Sequence, residues 1–123
     1  MCENCVVDGG EGAWVYVLIA HDDRHYSPEF QQEVPCKIGI TSASPFRRAH
    51  EIQAGNPLPL VVFAAMRFDS KPIAQTIEAS LLKSFQKQGK RLVGEWVNGA
   101  PMVIVRSIAA VAQQLGHPVR AEI

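Results

Sequence analysis

The segment from Ser70 to Gly89 reads as the longest helix of the chain, and it carries a carboxylate in the middle of its apolar stripe. Ser70 is a suitable cap, Pro72 fits the first turn and Gly89 can end the helix. At 3.6 residues per turn, Ala74, Leu81, Leu82 and Phe85 all fall within about 60° of Glu78. An acid ringed by such neighbours lies on the face that packs inward. Burying it unanswered costs on the order of 1–3 kcal/mol or more. A fold open to this chain must therefore bring a cation, protein-borne or metallic, to Glu78.

The 123 residues suit one domain with a real core. Residues 1–12, polar and Gly-rich, read as a loose leader, and 13–123 as the domain. A chain that is 47% hydrophobic and 20% charged is globular rather than disordered. The longest apolar run, Ala13 to Ala20, is far too short to span a membrane, and no basic n-region marks a signal peptide. Three cysteines without framework spacing read as reduced thiols of a cytoplasmic protein. Cys2-x-x-Cys5 is either half of a zinc site, completed by Cys36, His21 or His25, or a pair of plain thiols.

A formal net charge of zero conceals a split. Residues 1–33 hold seven acids and one base; residues 34–123 hold five acids and eleven bases. The body of the domain is thus basic, which permits a polyanionic partner.

Residues 14–20, β-branched and aromatic, read as a strand, and 36–41 as a second. Between them, 21–35 reads as a long acidic loop. Residues 45–54 read as a short helix capped by Ser44, with Pro45 first and Gly55 as its stop. A third strand follows at 59–68, then the Glu78 helix. A short extended piece at 92–99 precedes a last helix from about Pro101 to Leu115, whose expected inner stripe is Val105, Ile108, Ala109, Ala112 and Leu115. The order implies an α+β domain with an antiparallel sheet and helices on its faces.

Alternation puts Trp14, Tyr16, Leu18 and Ala20 on one face of the first strand, and Lys37, Gly39 and Thr41 on one face of the second. In a hairpin, Tyr16 and Lys37 can share a side, with Gly39 leaving space for a close approach. Lys37 is alternatively an edge-strand lysine that blocks aggregation. On the first helix, Arg47 points roughly 160° from the inward Ala49 and Arg48 roughly 100°, so Arg48 is the one able to reach the sheet. A structural ion pair with Glu78 is the other reading of Arg48.

A tyrosine, a lysine, an arginine and a carboxylate drawn from four elements suit a phosphodiester. Arginine binds the non-bridging oxygens and balances charge that grows in the transition state. A carboxylate can hold one hard divalent cation, with water and phosphate completing its shell. A tyrosinate can take the proton of an attacking water if nearby positive charge lowers its pKa from about 10.

Five motifs in order carry a family resemblance. They are Trp14-Val15-Tyr16, Lys37-Ile38-Gly39-Ile40-Thr41, the stretch from Pro45 through Arg48 to Pro57, Ile77-Glu78 through Phe85, and Gly94-Glu95-Trp96. Together they resemble the GIY-YIG endonuclease superfamily, in its compact phage and bacterial branch with a Lys-Ile-Gly second motif and a Gly-Glu-Trp signature. The resemblance covers about residues 13–105. It implies a small three-stranded antiparallel sheet flanked by helices, and one-metal cleavage of DNA, RNA not being excluded, with Mg²⁺ or Mn²⁺ as cofactor. It also implies Tyr16 as general base, Lys37 in place of a second tyrosine, Arg48 on phosphate, Glu78 on the metal, and a structural role for Glu95 and Trp96. Trp14 replaces the first-motif glycine, Leu82 stands where the branch often has histidine, and Val97 replaces an aromatic.

Arg47, Lys83, Lys87 and Arg91 are further candidates for contact with nucleic-acid backbone. The last three belong, with Lys90, to a basic stripe that equally suits a solvated helix C-terminus. Two other functional readings stand beside the nuclease: a binding or regulatory module that keeps the fold without turnover, and an interaction domain whose acidic loop meets a basic partner.

Overall fold

A computed structural model describes residues 12–20, 33–55 and 59–123. The leader 1–11, most of the acidic loop, Asn56-Pro57, and the zinc candidates Cys2, Cys5, His21 and His25 lie outside them. The elements are β1 (Ala13–Ala20), β2 (Val34–Thr41), α1 (Pro45–Gln53), β3 (Leu60–Phe68), α2 (Lys71–Lys87), β4 (Trp96–Gly99), α3 (Pro101–Leu115) and β5 (Ala121–Glu122).

The sheet has five strands, not three, in the order β4-β2-β1-β3-β5, and every neighbouring pair is antiparallel. Expecting three strands missed both edges for the same reason. β4 has four residues and β5 two, too few for alternation to register in the sequence. Both exist because β2 and β3 offer unpaired edges. Asn98 pairs with Pro35 on one side. On the other, the Arg120 amide donates to the Arg67 carbonyl at 2.7 Å and the Ile123 amide to that of Ala65 at 2.9 Å. β2 also begins two residues earlier than expected, at Val34, inside the stretch read as loop.

Alternation along β1 divides the core in two. Ala13, Val15, Val17 and Ile19 face α2 and α3, where they pack with Ile38, Phe68, Ile77, Leu81, Ile104 and Ile108. Tyr16 and Leu18 face the other way, toward Ala49 of α1 and Ala65 of β3. The α3 stripe is rotated from the expected one. Pro101, Ile104, Ile108 and Ala112 are buried, while Ala109 and Leu115 are exposed.

Local signals hold at two helix ends and fail at a third. Ser44 Oγ accepts from the Phe46 amide at 3.2 Å, capping α1. Ser70 ends the extended backbone before α2 but makes no side-chain cap bond. Gly89, at φ +73°, turns the chain so that the Lys90 amide reaches the Phe85 carbonyl at 2.9 Å.

Candidate functional site

Tyr16 pairs with Gly39 and Leu18 with Lys37 across β1 and β2, so Tyr16, Gly39 and Lys37 share the face that α1 covers. Gly39 does not leave open space, as its lack of a side chain suggests. A Cβ built there would stand 2.3 Å from both Cζ and Oη of Tyr16. The phenol ring lies across this glycine and is 1% exposed. Burial raises the Tyr16 pKa above its ordinary value, against the pull of the Arg48 guanidinium beside its hydroxyl.

Arg48 comes from the flank of α1 that faces this hydroxyl. Its own Nη1 donates to Glu51 Oε1 at 3.2 Å, and its side chain is about half exposed. It makes no ion pair with Glu78. Arg47 points to solvent, 74% exposed, with Nε 3.6 Å from Glu51 Oε2.

Lys37 Nζ donates to Glu95 Oε1 at 2.8 Å, with the lysine side chain 15% exposed. The backbone fixes this pair. Lys37 is in register with Trp96, and the Ile38 amide donates to the Glu95 carbonyl at 3.1 Å. Ahead of it, Gly94 adopts φ +61°, and Arg91 Nε donates to the Gly94 carbonyl at 3.0 Å. Arg91 Nη1 also donates to Gln86 Oε1 at 3.0 Å, so the turn is tied to α2.

Glu78 belongs to α2, on the opposite face of the sheet, yet it joins this group. β4 covers the outer edge of β2 only along Val34–Lys37, and the Glu78 carboxyl meets that of Glu95 at this end. Burial, and then the adjacent Glu95 carboxyl, push the Glu78 pKa up to about 7, with Lys37 and Arg91 acting the other way. Burial also raises Glu95, but the bonded Lys37 ammonium outweighs it and leaves Glu95 below the usual carboxylate range. Glu78 Oε2 is buried with no hydrogen-bond partner.

The fold thus brings together Tyr16, Lys37, Arg48 and Glu78, and adds Glu95, whose charge is felt by Tyr16 and Glu78 and answered by Lys37 and Arg48. The Gly-Glu-Trp signature suggests only a structural role for Glu95; its ion pair with Lys37 depends on the pairing of β4 with β2, which the motif does not encode. Lys83 and Lys87 are not part of the group. They are exposed and stand about 140° and 180° round α2 from Glu78. Among the described residues no three His, Cys, Asp or Glu side chains cluster as metal ligands. Cys36 is buried beneath the carbonyls of Val34 and Gly99, and desolvation pushes its thiol up to about 12, so it is a core residue.

A model of the T5orf172 domain matches residues 13–114. The chain belongs to the T5orf172 domain family. This is a phage-associated domain related to nucleases. The matched stretch runs from the first residue of β1 to the last turn of α3, so all five grouped side chains lie within it and β5 lies beyond it. No curated protein matches the chain, and no solved structure does. Among the described residues of this T5orf172 domain, no helix is long and apolar enough to cross a membrane.

Proposed function

We propose that the protein is a metal-dependent endonuclease or nicking enzyme of the GIY-YIG type, acting on DNA phosphodiester bonds. The observation that carries this reading is Glu78 Oε2, a buried carboxylate oxygen without a hydrogen-bond partner beside Lys37, Glu95, Tyr16 and Arg48. A hydrogen-bonded strut would leave no such orphan. The oxygen fits a ligand to Mg²⁺ or Mn²⁺, ions that need only one or two protein carboxylates and keep several waters. When bound, the cation supplies charge stabilisation at the phosphate and a stronger leaving group.

The chain's own residues divide the remaining work. Arg48 is exposed enough to exchange Glu51 for two non-bridging phosphate oxygens, a planar fork against a planar pair. Lys37, only 15% exposed, adds a second positive charge. Tyr16, fixed across Gly39, holds the attacking water by its hydroxyl and takes the water's proton as phenolate. Its raised pKa makes the phenolate scarce at neutral pH without added positive charge, so activity is expected to rise with pH.

That same raised pKa favours a second reading, a T5orf172 domain that binds nucleic acid with little turnover. Plasmid nicking with Mg²⁺ or Mn²⁺ decides between them. The nuclease reading expects nicking by the wild type and its loss in Glu78→Ala and Tyr16→Phe. Equal nicking in all three sinks it. Salt-sensitive DNA binding without nicking supports the binding module.

A further inference from the structure

We propose that Glu95 is a second protein ligand of the divalent cation, and that Lys37 is its partner only while the cation is absent. The inference rests on the reading of Glu78 as the cation's carboxylate and adds a residue to it.

Three observations carry it. Two carboxyl groups, Glu78 and Glu95, meet at one partly buried edge of the sheet, and a single ammonium, Lys37, bonds only one of them, at 2.8 Å. Two carboxyl groups in hydrogen-bond contact are stable only with a shared proton or a cation between them. Next, Glu95 starts from a fixed backbone. Its carbonyl accepts from Ile38, and the turn before it is tied to α2 through Arg91. Its carboxylate is therefore carried on a turn that hydrogen bonds tie to β2 and to α2. Finally, the Glu95 side chain is 42% exposed, open enough to leave Lys37 and to admit the waters that a hard cation retains. A further acid, Glu51, is held by Arg47 and Arg48 on α1 and serves as the comparison.

The exchange has a consequence for Lys37. Once Glu95 ligates the cation, the ammonium is released to an incoming phosphate, so cation and substrate favour one another.

The test is Mn²⁺ binding to the full chain without nucleic acid, read from the electron paramagnetic resonance of free Mn²⁺, with water-proton relaxation counting the waters on bound Mn²⁺. Glu95→Gln is expected to weaken binding by about tenfold or more and to add one water to the bound ion. Glu51→Gln, which also removes one negative charge, is expected to change affinity less than about threefold and to leave the water count alone. Lys37→Gln, which removes the competitor for Glu95, is expected to tighten binding. Glu95→Asp keeps the charge but shortens the reach, and is expected to gain the same extra water as Glu95→Gln. Circular dichroism of each variant checks that it is folded. Wild-type affinity and water count in Glu95→Gln, with binding lost in Glu78→Gln, overturn the role of Glu95 alone. Equal binding by the wild type and Glu78→Gln overturns the cation reading of Glu78 and this inference with it.

Discussion

Gly39→Ala tests the most tightly specified contact of the site. The added methyl would stand 2.3 Å from Cζ and Oη of Tyr16 and 2.8 Å from Cε1. Carbon atoms pack at about 3.5–4.0 Å, so the ring must retreat by about 1 Å or more. It has nowhere to go cheaply. Tyr16 is 1% exposed, packed with Leu18, Ala49 and Ala65, and a rigid ring moves only by leaving its rotamer. Overpacking of this kind costs about 1–3 kcal/mol. The stiffer unfolded chain of an alanine returns about 0.4–1 kcal/mol. The net expectation is a loss of about 1–2 kcal/mol, or roughly 4–8 °C in Tm for a domain of this size. Urea unfolding followed by circular dichroism measures it. The decisive comparison is a double-mutant cycle with Tyr16→Ala, because removing the ring removes the clash. In that background Gly39→Ala is expected to cost nothing or to stabilise, a coupling of at least about 1 kcal/mol between the two positions. A Gly39→Ala protein as stable as the wild type would refute the reasoning. So would a cost that persists unchanged when Tyr16 is alanine.

Other outcomes follow from the same geometry. With a folded pKa of about 7 against 4.5 unfolded, Glu78 holds its proton longer in the folded chain, so its contribution falls as pH rises from about 4.5 to 7. Discounted for its partial exposure, Glu78→Gln is expected to be about 1–2 kcal/mol more stable than the wild type at pH 8 without metal, and to differ little at pH 4; identical urea midpoints at both pH values would remove the basis for this. Arg48→Lys keeps the charge but loses the bidentate fork, and is expected to lower nicking by about 10²-fold while leaving Tm within about 2 °C, since its side chain is half exposed; full activity would show that Arg48 does not hold phosphate. In a Cys2→Ser/Cys5→Ser background, the buried Cys36 thiol is expected to stay unreactive to a disulfide reagent at pH 8 until denaturant is added, and prompt labelling of the native protein would contradict its burial.

The sequence was most legible where one element explains its own pattern. The alternation of β1, the run of α2 between Ser70 and Gly89, and the choice of Arg48 over Arg47 are all set by the period of a single strand or helix. Short edges were less legible. Four residues of β4 and two of β5 are strands only because β2 and β3 supply partners from far along the chain. The stripe of α3 lies elsewhere because apolar residues occur on more than one side of this helix, and only the packing against α2 and β1 selects among them.

By itself, the chain determined that Glu78 lies on an inward face and that Tyr16, Lys37 and Arg48 are the polar groups able to approach it, because local periodicity fixes direction. Tertiary structure decided which of them answer which. Lys37 bonds Glu95, Arg48 bonds Glu51 beside the Tyr16 hydroxyl, and Glu78 keeps an unpaired oxygen. Those pairings depend on where a four-residue strand stops along the edge of β2, and long-range pairing, unlike helical or strand periodicity, leaves no repeat in the sequence to read.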